Sequence, residues 1–173
     1  MSASDLSPRM ALTSIEAGVL DIACHITGPA DGAPVFLMHG FPYDIHAYAE
    51  AAPALAARGC RVYVPYLRGF GASSSPTEVA AYRPKFLVQD LAALIAAECG
   101  DGAPLECLVA HDWGGAVAWN LANQHPELLR RLAIVNSPHP GAFLRELQHN
   151  AVQQAASQYM HFLCRPDAEA LLA

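Results

Sequence analysis

The most informative stretch of the chain joins an apolar run to a polar turn with two glycines: Leu108-Val109-Ala110-His111-Asp112-Trp113-Gly114-Gly115. The apolar run predicts a buried strand, and residues 113–123 predict a helix. Small residues at 110 and 114 flank Asp112 with the spacing of a nucleophile elbow, a tight strand-to-helix turn that exposes one side chain. The helix N-terminus would stabilise negative charge on that side chain. Taken alone, Asp112 also fits an ordinary helix N-cap.

A second motif, His39-Gly40-Phe41-Pro42, directly follows the apolar run 35–38, which predicts another buried strand. Taken alone, this motif also fits a plain strand-exit turn. Together the two motifs resemble the aspartate-nucleophile branch of the α/β-hydrolases, which contains epoxide hydrolases and haloalkane or haloacid dehalogenases. The resemblance implies that Asp112 is the nucleophile and that the backbone N–H groups of Phe41 and Trp113 form an oxyanion hole. It also implies a cis Phe41–Pro42 bond and a site lined by His39, Pro42 and His111.

The resemblance extends from about Gly18 onward and includes the loop 66–73 and the segment 136–140. It implies an incomplete α/β-hydrolase core, in which helices cover both faces of a mostly parallel sheet. Alternating patterns along the chain agree with it. They predict strands at 10–27 (two), 35–38, 61–64, 105–110 and 132–135, and helices at 45–58, 86–98, 113–123 and 143–173. We predict two domains, the core at residues 1–141 and the beginning of a helical cap at residues 142–173.

Within this branch, the sequence most resembles soluble epoxide hydrolases. Tyr159 lies seven residues before Pro166, a spacing that resembles a cap tyrosine of those enzymes, although the pattern also fits a half-buried residue with a hydrated hydroxyl. Fluoroacetate-type dehalogenases usually carry Arg where Trp113 stands, although Trp113 suits halide binding and epoxide hydrolases equally. Asn136 stands where dehalogenases often carry an acid. We therefore predict a hydrolase that opens an epoxide through an Asp112 ester, with Tyr159 as hydrogen-bond donor. A dehalogenase of the same branch remains the alternative.

The family's catalytic histidine and its orienting acid would lie beyond Ala173. We therefore expect that the 173-residue chain alone cannot complete turnover. It could be a fragment of a longer enzyme or a natural truncated product, and a non-catalytic binding or remnant protein is a further alternative. The expected partner is a small apolar or amphipathic substrate.

The composition excludes several other classes of function. A net charge of −6 argues against nucleic-acid binding, which needs a basic face. Five widely spaced cysteines, no recognisable signal peptide and no apolar stretch of membrane-spanning length suggest a cytoplasmic protein without a membrane partner. Neither metal-ligand spacing nor a glycine-rich dinucleotide motif is present, so we predict no metal and no cofactor. The sequence leaves the oligomeric state open.

Overall fold

The computed structural model describes residues 10–172, which divide into two compact units with the boundary between Ser137 and Pro138. The first unit contains a six-stranded sheet in the order β1-β2-β4-β3-β5-β6. Its strands are β1 (Leu12–Ala17), β2 (Leu20–Thr27), β3 (Ala33–Met38), β4 (Cys60–Pro65), β5 (Cys107–His111) and β6 (Leu132–Val135). The strands β4, β3, β5 and β6 are parallel, whereas β1 and β2 pair antiparallel. The mostly parallel α/β fold predicted from the sequence is confirmed.

Helices cover both faces of this sheet. The first unit contains α1 (Ala51–Ala56), α2 (Pro84–Cys99) and α3 (Asp112–Gln124), with 3₁₀ turns at Ile45–Tyr48, Val79–Tyr82 and Pro126–Leu128. Side chains alternate along each strand, so one set of strand residues packs against α2 and α3 and the other packs against α1. Phe36 and Leu37 are neighbours in β3 that are both fully buried, one on each face. This two-sided burial explains why the strands are apolar throughout.

The segment 45–58 differs from its prediction as one helix. It forms the 3₁₀ turn Ile45–Tyr48, where Asp44 accepts a hydrogen bond from the His46 N–H, and then the separate helix α1. Pro53 has no N–H to donate to the carbonyl of residue 49, so it fits only the first turn of a helix. The helix therefore begins only two residues before Pro53, and Gly59 follows it as predicted.

The second unit, residues 138–172, contains the helices α4 (Pro140–His149), α5 (Ala151–Ala156), α6 (Tyr159–Leu163) and α7 (Ala168–Leu172). Its helical character is as predicted, but the helix is broken into four pieces. The Asn150 side chain caps the N–H groups of Val152 and Gln153, so a new helix starts there. Pro166 lies between α6 and α7. The assignment of these helices to the beginning of a cap stays a prediction.

Within residues 10–172, no helix is both long enough and apolar enough to cross a lipid bilayer.

Candidate active site

Asp112 occupies a strained turn at the junction of β5 and α3. Its backbone φ is +51°, in the left-handed region, which residues other than glycine seldom adopt. Asp and Asn are among the residues that tolerate this region best. Such a conformation persists only where the surrounding structure holds it in place. The sharp turn predicted from the spacing of small residues is therefore present, with Asp112 at its apex.

Three glycines let other parts of the chain approach this turn closely. A Cβ on Gly114 would collide with the carbonyl oxygens of His39 and Met38, at the end of β3. A Cβ on Gly115 would collide with the side chain of Ser137, and one on Gly40 would collide with the side chain of Asp112. The first turn of α3 is thus packed directly against the main chain that leaves β3. This packing is the physical reason for the small residues around Asp112.

The two motifs of the sequence meet at the Asp112 carboxylate. The Phe41 N–H donates a hydrogen bond to Asp112 Oδ1 at 2.9 Å, across 71 residues of sequence. The Phe41–Pro42 bond is cis, as the resemblance implied. Trp113 is the next residue of α3, in the first turn, where backbone N–H groups have no partner within the helix. The carboxylate is thus held at one oxygen by a main-chain donor from a different loop.

His39 fixes the loop that carries Phe41. Its ring is fully buried, and Nε2 accepts a hydrogen bond from the Leu67 N–H at 3.1 Å. The proton is therefore assigned to Nδ1, which donates to the Gly40 carbonyl at 3.1 Å. Burial lowers the pKa of His39 below its ordinary value, which favours this neutral form. His39 thus links the exit of β3 to the exit of β4.

Tyr48 supports the same end of β3. Its hydroxyl donates to the Met38 carbonyl at 2.9 Å, and burial raises the pKa of Tyr48 to about 12, so the hydroxyl remains protonated at neutral pH. On the solvent side, the ring of Tyr43 packs edge-on against His111 at 5.9 Å between centroids. Phe41, Tyr43 and Trp113 are large apolar residues that remain 38–57% exposed near the turn.

Two supporting contacts were not predicted from the sequence. The Ser137 hydroxyl donates to the main-chain carbonyl of Asp112 at 2.8 Å. Arg68 forms a bidentate ion pair with Asp90, at 2.7 and 2.6 Å, and also donates to the Ala81 carbonyl. This second contact ties the loop after β4 to α2. Both residues follow strand ends in polar loops, which was the only sequence signal available for them.

The remaining predicted residues lie at different places. Pro42 follows Phe41 directly, and His111 is the last residue of β5. Tyr159 is the first residue of α6 in the second unit and is 59% exposed. Within the part of the chain that the structure describes, no three His, Cys, Asp or Glu side chains are close enough to hold a metal ion. The catalytic and site-lining roles of the predicted residues stay predictions.

Comparisons with known proteins agree with this architecture. Residues 33–159 match the family described as alpha/beta hydrolase fold. The chain is 34% identical over 148 residues to the AB hydrolase superfamily protein YfhM of Bacillus subtilis, and 34% identical over 132 residues to epoxide hydrolase 3 of Xenopus tropicalis. These alignments cover 84% and 76% of the chain. A solved structure described as a novel epoxide hydrolase of the alpha/beta hydrolases superfamily from hot-environment metagenomes matches 94% of the chain, with a TM-score of 0.85 and 32% identity.

The chain spans about half the length of these proteins or less. The aligned segments cover 51% of the Bacillus protein, 35% of the Xenopus protein and 54% of the solved structure.

Proposed function

The chain belongs to the alpha/beta hydrolase fold family, and we propose that it carries the nucleophilic half of an epoxide hydrolase site. In this proposal, the Asp112 carboxylate attacks an epoxide carbon and forms a covalent ester. The observation that carries the proposal is the Phe41 N–H···Oδ1 hydrogen bond to a carboxylate at the apex of a strained turn. The names of the Xenopus relative and of the solved structure supply the reaction class.

The single hydrogen bond gives the two carboxylate oxygens different tasks. Oδ1 is held by Phe41, so Oδ2 is the oxygen that attacks carbon. The new bond is Oδ2–C, the bond that breaks is the epoxide C–O bond, and the departing oxygen takes up a proton from water. Oδ1 then becomes the carbonyl oxygen of the ester. It is already next to the main-chain donor that would stabilise it as an oxyanion during hydrolysis, an interaction commonly worth about 3 kcal/mol.

Two further groups complete the proposed reaction. The resemblance to epoxide hydrolases assigns to Tyr159 the hydrogen bond to the departing epoxide oxygen. Hydrolysis of the ester requires a base that activates water, and the family pattern places that histidine outside the residues that match here. We therefore expect the ester to persist on the 173-residue chain. The alternative, displacement of halide from a haloalkane or haloacid, would use the same carboxylate.

Intact-protein mass spectrometry of the 173-residue chain tests this proposal. After incubation with a terminal aryl epoxide, we expect a mass increase equal to the full mass of the epoxide, because ring opening is an addition. A haloalkane would instead add its alkyl group and lose hydrogen halide. The adduct should map to the peptide that contains Asp112 and should be released by hydroxylamine, which cleaves esters and leaves thioethers of the five free cysteines intact.

Two substitutions provide the controls. Asp112→Asn preserves shape and tolerance of positive φ but removes the nucleophile, so the hydroxylamine-sensitive adduct should disappear. Asp101→Asn changes an exposed carboxylate in a turn and should leave the adduct unchanged. An adduct that survives in Asp112→Asn, or the lack of any ester in the unmodified chain, would refute the proposal.

A further inference from the structure

Ser137 connects two strained backbone positions at the ends of neighbouring parallel strands. Asp112 follows β5 with a φ of +51°, and Asn136 follows β6 with a φ of +47°. The Ser137 hydroxyl, one residue after Asn136, donates to the Asp112 main-chain carbonyl at 2.8 Å. Since β5 and β6 pair in parallel up to His111↔Val135, the two turns leave the sheet side by side. One side chain thus bridges the two turns.

Ser137 is itself held from two directions. Its own carbonyl accepts a hydrogen bond from Trp119 Nε1 at 3.1 Å, and Trp119 lies on α3, the helix that Asp112 begins. Its Cβ lies so close to Gly115 that no side chain fits there. The hydroxyl is therefore presented to the Asp112 carbonyl from a fixed backbone and not from a mobile loop.

The orientation of the Asp112 carboxylate depends on the main chain that carries it. The carboxylate is held at Oδ1 by Phe41, and the main-chain carbonyl of the same residue is held by Ser137. Without the second contact, the Asp112 peptide group could rotate, because the left-handed conformation is intrinsically unfavourable. A small rotation at the apex of the turn moves the carboxylate away from the Phe41 N–H and away from an attack geometry.

We propose that Ser137 is a positioning residue, whose hydroxyl holds the Asp112 turn so that the carboxylate keeps its hydrogen bond from the Phe41 N–H. This inference rests on the proposed function only for its kinetic consequence. The geometric part concerns the Phe41···Asp112 hydrogen bond and can be measured without any substrate.

The geometric test measures, by NMR on the 173-residue chain, the rate at which the Phe41 amide exchanges its hydrogen. In Ser137→Ala, we expect Phe41 to exchange about tenfold faster, while the amides inside β3 keep their rates. Asp112→Ala, which removes the acceptor, sets the upper limit of the effect. Ser75→Ala removes a hydroxyl that donates within the loop after β4 and should change neither rate. Unchanged protection of the Phe41 amide in Ser137→Ala would overturn the inference, whether or not the chain forms an ester with an epoxide.

The kinetic test measures ester formation on Asp112 as a function of epoxide concentration. In Ser137→Ala, the rate at saturation should fall about tenfold while the half-saturating concentration changes little, because the substrate contacts are untouched. Ser137→Thr retains the hydroxyl and should restore both the rate and the Phe41 protection. Effects of Ser137→Ala that threonine does not restore would show that they do not come from the lost hydroxyl, and would overturn the inference. An unmodified chain that shows Phe41 protection but forms no ester would refute the proposed function alone.

Discussion

The two units of the chain differ in how their side chains are buried. In residues 10–137, both faces of the sheet carry clusters of fully buried residues, such as Phe36 on one face and Leu37 on the other. In residues 138–172, the buried residues are Ser157 and Ala168, whereas Leu144, Val152 and Tyr159 are more than half exposed. The first unit therefore owes its geometry to its own core. The helices of the second unit depend more on local capping and hydrogen bonds within each helix.

The largest difference between the units should appear in a pair of matched glycine substitutions. Gly114→Ala places a Cβ against two main-chain carbonyls that cannot move without distorting β3, so we expect a loss of about 3 kcal/mol or more of unfolding free energy. Gly141→Ala in α4 meets only the His139 ring, at an ordinary 3.4 Å, and should be neutral or slightly stabilising. Urea unfolding monitored by tryptophan fluorescence measures the first change, since both tryptophans lie in the first unit. Equal changes of unfolding free energy in Gly114→Ala and Gly141→Ala would contradict the expected difference between the two units.

A smaller effect should follow the protonation of His39. Because burial lowers its folded-state pKa below the ordinary 6.5, the unfolded chain binds the proton more readily. The stabilising effect of neutral His39 is thus fully present above pH 6.5 and is lost as the pH falls from 6.5 towards the folded-state pKa. The protonated ring could no longer accept the Leu67 N–H, so the loss should centre on the turns around Asp112.

The pH dependence is measured by repeating the urea unfolding between pH 7.5 and about pH 5. His39→Gln should be less stable at neutral pH, and its stability should fall less steeply below pH 6.5. The other histidines and the carboxylates contribute equally to both proteins, so the difference in slope isolates His39. Identical slopes would contradict the prediction.

The smallest effect should be local to the second unit. Asn150 accepts hydrogen bonds from the Val152 and Gln153 N–H groups, and its removal in Asn150→Ala should destabilise the start of α5 by about 1 kcal/mol. We expect faster amide exchange in residues 151–156 with no change in tryptophan-detected unfolding. Asn150→Asp retains the acceptor and serves as the control. A change in the unfolding of the first unit would show that the two units are not energetically separate.

The sequence predicted those parts of the fold and site that depend on local patterns. Strand and helix alternation and the turn at Asp112 follow from apolar periodicity and small-residue spacing. The pairing of that turn with the loop at Phe41 was implied by the family resemblance. The break before α1 was missed because the Ala-rich composition outweighed one proline. The contacts of Ser137 and of Arg68 were missed for a different reason. Each joins residues that are distant in sequence, 25 and 22 positions apart, through a side chain whose partner no periodicity reveals.

The left-handed backbone at Asp112 also limits how this position can evolve. Few amino acids occupy that region readily, and β-branched or bulky ones are the most strongly disfavoured. Asparagine, one nucleotide change from aspartate, fits the same backbone and would remove the proposed nucleophile. Loss of chemistry through a single conservative exchange is therefore structurally easy here, whereas most other exchanges would disturb the architecture as well. If the proposed reaction is correct, a descendant of this chain that kept its fold but lost that reaction would most readily carry asparagine at position 112.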